Sequence, residues 1–301
     1  MNTATALANQ VIILFLLMLT GFIARKNRLL NNEVNAGISE LLLNITVPFM
    51  IITSFNLKFS SEIFHDAVIL FWSAVFIHIF SAVIGLVLYR KYPEQDRKIL
   101  KFITIFSNAG FMGLPVLGSL FGQLGVFYGS IYVVVFNIFA WTMGVKIFTG
   151  KEIKILKAIT NPALISVLIG SILFFFSIQL PVPIYKTLDM IGSMTTPLSM
   201  MVVGSMLADI KPKELFAGWP VYYGSMVRLI IIPLLMALAL KPFGISEYLL
   251  KICLTSTAMP VATMTAIFAE KYNGNAILAS RLVFISTALS LLTIPLIVLL
   301  T

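Results

Sequence analysis

Polar groups able to hold a small ligand occur in this sequence as two clusters inside otherwise apolar runs. The first is "SNAGFMGLP", Ser107 to Pro115, and the second is "STAMPVATM", Ser256 to Met264. They combine helix breakers with neutral amide and hydroxyl groups. A helix broken in mid-course presents free N–H groups at one new end and free C=O groups at the other. The N–H end carries about half a positive charge. Two such breaks can bind and release an anion, but they hold nothing that makes or cuts a bond. The expected ligand contacts are Asn108, Ser107, Gly110, Ser256, Thr257 and Thr263, with Gly113, Pro115 and Pro260 as the hinge positions. Proline kinks that only shape packing are the competing reading. The clustering of Asn108, Gly110 and Gly113 argues against it.

Charged side chains within the apolar runs are the next candidates. Arg228 lies near the centre of "GSMVRLIIIP". An arginine inside hydrocarbon is costly and functional by default. It either contacts the ligand or is satisfied by backbone carbonyls or a carboxylate. Glu40, Asp189 and Glu270 are the candidate ion-coupling carboxylates, for a proton or, second, for Na⁺. Glu40 and Asp189 read equally as scaffold residues at the membrane interface. Asn44 and Asn137 are expected to hydrogen-bond between helices.

Other chemistry is excluded. His65 and His78 have no ligand partner at helical spacing, so no metal site is expected, and no cofactor. The single Cys253 rules out an internal disulfide and a multi-cysteine metal site, and it reads as a small buried apolar group. There is no phosphate-binding G-x-x-x-x-G-K-[ST] and no H-E-x-x-H. The chain is therefore not expected to be an enzyme.

The elements that must position these groups follow from composition. The 301 residues are 59% hydrophobic and 11% charged, against about 25% charged in a soluble domain. The apolar residues fall in ten blocks, near 5–24, 34–54, 66–89, 97–118, 124–148, 161–180, 183–207, 217–240, 247–269 and 275–300. Each approaches the ~20 residues that cross a bilayer. The fold class is thus an all-α polytopic membrane protein with ten transmembrane helices. Positive charge follows the first block rather than preceding it, which reads as an uncleaved helix and not a leader.

Lys and Arg concentrate in the connections after blocks 1, 3, 5, 7 and 9, from Arg25, Lys26 and Arg28 through Lys151, Lys154 and Lys157 to Lys211 and Lys213. The other connections hold only Lys58, Lys186, Lys241 and Lys251. This bias puts the odd connections in the cytoplasm and both termini outside the cell membrane. The net charge of +9 is therefore a topology signal and not a nucleic-acid surface.

The loop "TGKEIKILKAIT" near 149–160 divides the blocks five and five, so the second half must be inverted relative to the first. A shift of about 150 residues brings Pro48 onto Pro197, and Pro115 close to Pro260. The expected organisation is a first five-helix repeat, 1–150, and an inverted second repeat, 151–301. Broken segments in corresponding positions of inverted repeats point to a secondary transporter's binding site.

The stretches "SNAGFMGLPVLGSLFG", "NPALISVLIG", "TPLSMMVVGSMLAD" and "AMPVATMTAIFAEKYNGN" resemble the auxin efflux carrier family of permeases over essentially the whole chain. The family includes plant PIN transporters and bacterial malate and malonate carriers. The resemblance implies a scaffold of helices 1, 2, 6 and 7 and a transport part of helices 3–5 and 8–10. It implies that broken helices 4 and 9 cross and hold an organic anion's carboxylate. By motif match Asn108 falls on the family's substrate asparagine, and Pro115 and Pro260 on its crossover prolines. Ser256 and Thr257 stand near the place of Asn108 in the second repeat. A homodimer through the scaffold helices is implied in the same way. The plant members' long cytoplasmic loop is absent, which disfavours auxin as cargo. The expected function is alternating-access transport of a malate- or malonate-like anion; an anion channel or a receptor without flux is the alternative.

Overall fold

In hydrocarbon a chain satisfies its own backbone N–H and C=O groups by coiling into helices, and this chain does so almost throughout. A computed structural model describes residues 3–150, 161–208, 218–272 and 274–300. The first half forms α1 (Thr3–Lys26), α2 (Asn32–Leu41), α3 (Val47–Ser54), α4 (Ser61–Leu88), α5 (Glu94–Ile105), α6 (Leu114–Phe139) and α7 (Val145–Thr149). The second forms α8 (Pro162–Phe175), α9 (Val182–Ser193), α10 (Thr195–Ala208), α11 (Trp219–Met226), α12 (Ile232–Leu240), α13 (Glu247–Ala258), α14 (Met264–Lys271) and α15 (Ala276–Leu300). The described residues contain no strand. Lys151, Lys154, Lys157, Lys211 and Lys213 of the charge pattern lie outside them.

Six helical runs among the described residues are long and apolar enough to cross a membrane: Asn32–Ser54, Ser61–Leu88, Ala109–Thr149, Val182–Ala208, Trp219–Phe243 and Ala276–Ile297. The chain is thus an all-helical, multi-pass membrane protein. The run Ala109–Thr149 has 41 residues, about twice what a bilayer core requires. Gly122 interrupts it, with φ 64° and ψ −151°, torsions open to a residue without Cβ.

Proline shapes three of these runs. Leu42–Thr46, Ala109–Gly113 and Val227–Ile231 are π turns, followed two residues on by Pro48, Pro115 and Pro233. A proline ring clashes with the carbonyl four residues earlier and offers it no N–H. Widening the preceding turn relieves that clash. A fourth π turn, Ala140–Gly144, has no such proline.

The chain divides into two compact units, each drawing on both halves of the sequence. Unit 1 takes Met1–Leu70, Gly110–Val134 and Ala158–Asp209; unit 2 takes Phe71–Ala109, Val135–Lys157 and Ile210–Thr301. In unit 1, α1 and α10 meet backbone to backbone. A Cβ at Gly21 would lie 1.9 Å from the Met201 carbonyl oxygen, and one at Gly204 would lie 1.8 Å from that of Met18. Small residues at such contacts let membrane helices approach without a hydrophobic driving force between them. In unit 2 the core is aromatic: Phe102 packs on Phe106 at 4.5 Å between ring centroids, and on Phe148 and Phe268 at 5.4 Å each. Large apolar side chains such as Trp72 (64% exposed) and Leu292 (70%) face outward, as helices solvated by lipid require.

The backbone contact at Gly204 leads to the first prediction. Gly204→Ala should force α1 and α10 apart and cost about 1–3 kcal/mol. Gly37→Ala, where nothing stands within 4 Å of the new Cβ, should not destabilise. Thermal unfolding of the two purified variants in detergent compares them, and equal midpoints would refute the packing argument.

Candidate functional site

Unit 2 brings Ser107 and Asn108 of the first polar cluster against the second. α5 and α13 are both 12 residues long, and each stops abruptly. Glu94 and Asp96 stand in the first turn of α5, where negative charge suits the helix dipole. At its far end Phe106 is extended, with φ −105° and ψ 104°. In α13, Ser246 caps the start. The end is set by Pro260, because the residue before a proline is driven out of helical torsions; Met259 has φ −58° and ψ 148°.

The two unwound stretches cross antiparallel. Ser107 pairs with Val261 in an isolated bridge. The Asn108 N–H donates to the Pro260 carbonyl at 2.8 Å, and the Ala262 N–H donates to the Phe106 carbonyl at 3.4 Å. The Ser107 hydroxyl donates to the Ser256 carbonyl at 2.8 Å, and the Val261 N–H donates to the Ser286 hydroxyl at 3.0 Å. Each break thus supplies partners that the other has lost. After the crossing the chain re-enters helix through the π turn Ala109–Gly113 on one side and Thr263 on the other.

Arg228 closes the carbonyl side. It projects from the π turn Val227–Ile231 and is 1% exposed. Its Nη1 donates to the Thr104 carbonyl at 3.0 Å, its Nε to Met259 at 3.3 Å, and its Nη2 to the Thr257 carbonyl. One guanidinium therefore serves the C-terminal ends of both half-helices, where the dipoles place negative charge. Of the two readings open from sequence, these contacts match the arginine held by backbone carbonyls. Thr104 is fixed in turn by the Tyr89 hydroxyl at 2.9 Å.

The N–H side is differently equipped. Asn108 is 5% exposed, and its side-chain amide has no hydrogen-bond partner among the described residues. Thr263 precedes α14 without a side-chain cap bond, and the Thr265 and Ala266 N–H groups of that first turn donate to the Ala262 and Thr263 carbonyls at 2.9 and 3.2 Å. Thr263 and Gly110 are half-buried. A Cβ at Gly110 would meet only Val133 Cγ1, at 3.9 Å. The Ser256 and Thr257 hydroxyls are occupied within their own helix, donating to Ile252 at 2.9 Å and Cys253 at 2.7 Å. Cys253 itself is buried.

Two sequence alignments shift. Matching the ends of α5 and α13 sets Asn108 against Val261, not against Ser256 or Thr257, which lie one turn earlier in the helix. Pro260 occupies the break itself, whereas Pro115 sits in the first turn of α6, beyond Gly113 and the π turn. The prolines match in number along the chain but act at different points. Sequence reasoning missed Ser286, Thr104 and Thr265. The Thr265 hydroxyl, in the first turn of α14, is buried without a partner; only its position just after Pro260 could have marked it.

The carboxylates stand elsewhere. Glu40 on α2 and Asp189 on α9 are exposed and belong to unit 1. Asp189 lines a cavity of about 340 Å³ together with Tyr185, Gln123 and Thr196. The side chain of Glu270 lies outside the described residues. Asn44 donates to the Glu40 carbonyl at 2.9 Å in its own helix, not to a neighbouring one as its side-chain type suggested. No group of three or more potential metal ligands occurs among the described residues.

Residues 6–156 and 151–298 match the family described as "Membrane transport protein". The chain belongs to this family, that of the auxin efflux carriers. An uncharacterized transporter of Methanocaldococcus jannaschii is 28% identical over 302 residues, covering 95% of this chain and 96% of that protein. An uncharacterized transporter of Methanothermobacter thermautotrophicus is 27% identical over 299 residues, covering 95% of each. "Probable auxin efflux carrier component 3b" of Oryza sativa subsp. japonica is 30% identical over 140 residues, which are 45% of this chain and 24% of that one. The family and these relatives are membrane transporters, not enzymes.

In this transporter family member the crossing should depend on Arg228. Removing it takes the donor from three buried carbonyls, and a buried acceptor left unsatisfied costs about 1–3 kcal/mol. Arg228→Gln should lose most folded, monodisperse protein in size-exclusion chromatography. Arg228→Lys should recover part of it, since an ammonium cannot fan across three carbonyls as a guanidinium does. Parent-like stability of Arg228→Gln would show that the contacts are dispensable.

Proposed function

We propose that the chain is a secondary transporter that moves a small organic anion across the cell membrane by alternating access. The observation that carries this reading is the Asn108 side-chain amide, 5% exposed and without a hydrogen-bond partner among the described residues, at the crossing of the two unwound stretches. A carboxylate supplies the acceptors that such donors lack. Gly110 and Thr263 complete the surroundings of the cargo, while Ser107, Ser256 and Thr257, whose hydroxyls are taken by backbone carbonyls, hold the crossing together, with Gly113, Pro115 and Pro260 at the moving breaks. Arg228 acts on the cargo through the helix ends it holds. Malate- or malonate-like carboxylates are the cargo class.

The proposed architecture is ten helices in two inverted repeats, 1–150 and 151–301, with both termini outside. The order of elements supports it. α1 corresponds to α8, α2–α3 to α9–α10, α4 to α11–α12, and α5 with its break to α13 with its break. The chain from Gln123 to Thr149 corresponds to α15. Helices 1, 2, 6 and 7 form the scaffold, through which two copies pair. Because each charge crossing the membrane is worth ~2.3 kcal/mol per 100 mV, uptake of an anion into a negative cell needs a compensating proton, or less readily Na⁺. Glu40, Asp189 and Glu270 are the carboxylates available for it.

Asn108→Ala should weaken binding of the cargo anion tenfold or more, from the loss of about 1.5–3 kcal/mol for a hydrogen bond to a charged group, while the melting temperature stays that of the parent. A thermal-shift screen of organic acids identifies the ligand, and titration of both proteins compares affinities. Undiminished affinity in the variant would remove Asn108 from the site.

Flux of labelled acid into proteoliposomes should saturate and should respond to imposed voltage and pH. Non-saturating, ohmic flux would mean a channel, and binding without flux a receptor. A cysteine placed at residue 93 in a Cys-free variant should label from the cytoplasmic side only; exclusive labelling from outside would invert the topology.

A further inference from the structure

A second cavity in unit 2, of about 460 Å³, lies away from the crossing helix ends. Its charged wall comes from one face of α5. Arg97 and Lys98 each stand three or four residues from both Glu94 and Lys101, so the four share that face. Lys146 joins them from α7. The opposite face of α5, with Phe102, Ile103 and Phe106, is buried in the aromatic core. Among the described residues, four cations therefore line the cavity with one carboxylate. That carboxylate is already engaged, since Glu94 pairs with Lys98 at 2.9 Å.

The other end of the cavity is apolar. Leu86 of α4 lines it with Met143 and Ile147. Leu86 is 55% exposed, and its helix neighbours Val83 and Val87 are as open. This outward apolar face belongs in hydrocarbon, so the cavity joins a cationic wall to a lipid-facing one. A free phosphate would satisfy the first and leave the second uncovered. A molecule with an anionic head and an acyl chain satisfies both.

We propose that this cavity is a binding site for an anionic phospholipid, its phosphate held by Arg97, Lys98, Lys101 and Lys146 and its chain lying against Leu86, Met143 and Ile147. Clusters of basic residues at the membrane ends of helices recognise anionic headgroups by this chemistry. The cations crowd together at a mutual electrostatic cost that a bound phosphate relieves. Because α5 runs from this cavity to the crossing of the broken helices, the lipid anchors the outer end of the half-helix whose inner end Arg228 holds. The site is independent of cargo identity.

Native mass spectrometry of the full, delipidated chain in detergent tests it, with phosphatidylglycerol and phosphatidylcholine of identical acyl chains as probes. The parent should bind phosphatidylglycerol at least fivefold more tightly. Lys101→Gln with Lys146→Gln should weaken that binding by about fivefold per lysine removed and leave phosphatidylcholine unaffected. Lys146→Gln alone, at an exposed position, gives the single-step loss if the double variant does not fold. Lys91→Gln, outside the cavity, should change nothing. Equal affinity of the parent for the two lipids would overturn the proposal, as would losses from Lys91→Gln that match those from Lys146→Gln. Full competition by millimolar inorganic phosphate would assign the cavity to a soluble anion instead.

Discussion

A helix that stops inside hydrocarbon leaves backbone groups that water cannot reach, and this structure is organised around settling that debt. Each unsatisfied group costs several kcal/mol. The antiparallel pairing of the two breaks satisfies some, and the Arg228 guanidinium satisfies three carbonyls more. An arginine alone in this environment would be as unfavourable as the open carbonyls alone. Together each removes the other's penalty. Arginine is suited to the task because its planar fork spreads donors over several acceptors, where lysine offers a compact charge. The π turn at Val227–Ile231, ahead of Pro233, sets the position from which that fork reaches both half-helices.

Much of this was legible in the sequence, for reasons that are local. Asn108, Gly110 and Pro260 are residue types that disfavour helix, so their clustering marks the breaks within an apolar run, although Gly110 itself lies in the π turn that follows one of them. The apolar blocks announce spans in the same way. What depends on contacts between distant segments was not legible. Arg228 could be flagged as costly, but its partners lie on α5 and α13. Asn44 looked like a bond between helices, whereas its amide reaches one turn back to Glu40. The proline spacing gave the correspondence of the halves only coarsely. Proline ends α13 directly, while in α5 the break is made by Ser107 and Asn108, and Pro115 acts one turn later. A repeat search keyed to prolines therefore places Ser256 and Thr257 too far along. The hydroxyls of Ser286 and Thr104 carry no signal in an apolar helix until the tertiary partner is known.

The division of charge at the crossing bears on how the site would work. The one full cation sits at the carbonyl pole and is consumed by backbone oxygens. On the proposed reading, what remains for a cargo carboxylate is the Asn108 amide and the partial positive charge of helix ends. A permanent guanidinium facing the cargo would hold it with a charge-assisted bond roughly twice as strong as a neutral one, and a carrier gains nothing from a ligand it cannot release. Neutral donors give selectivity for an anion at an affinity that still permits release. Among the described residues the two unwound stretches hold no titratable side chain, while the buried His78 packs against Phe106 at 6.0 Å between ring centroids. On the proposed reading, a proton that accompanies the anion rides on the cargo or on a group, such as a carboxylate, outside the unwound stretches. Asp189, on the polar cavity of unit 1, is one such carboxylate. On that reading, coupling depends on a group outside the unwound stretches and not on the chemistry at Asn108.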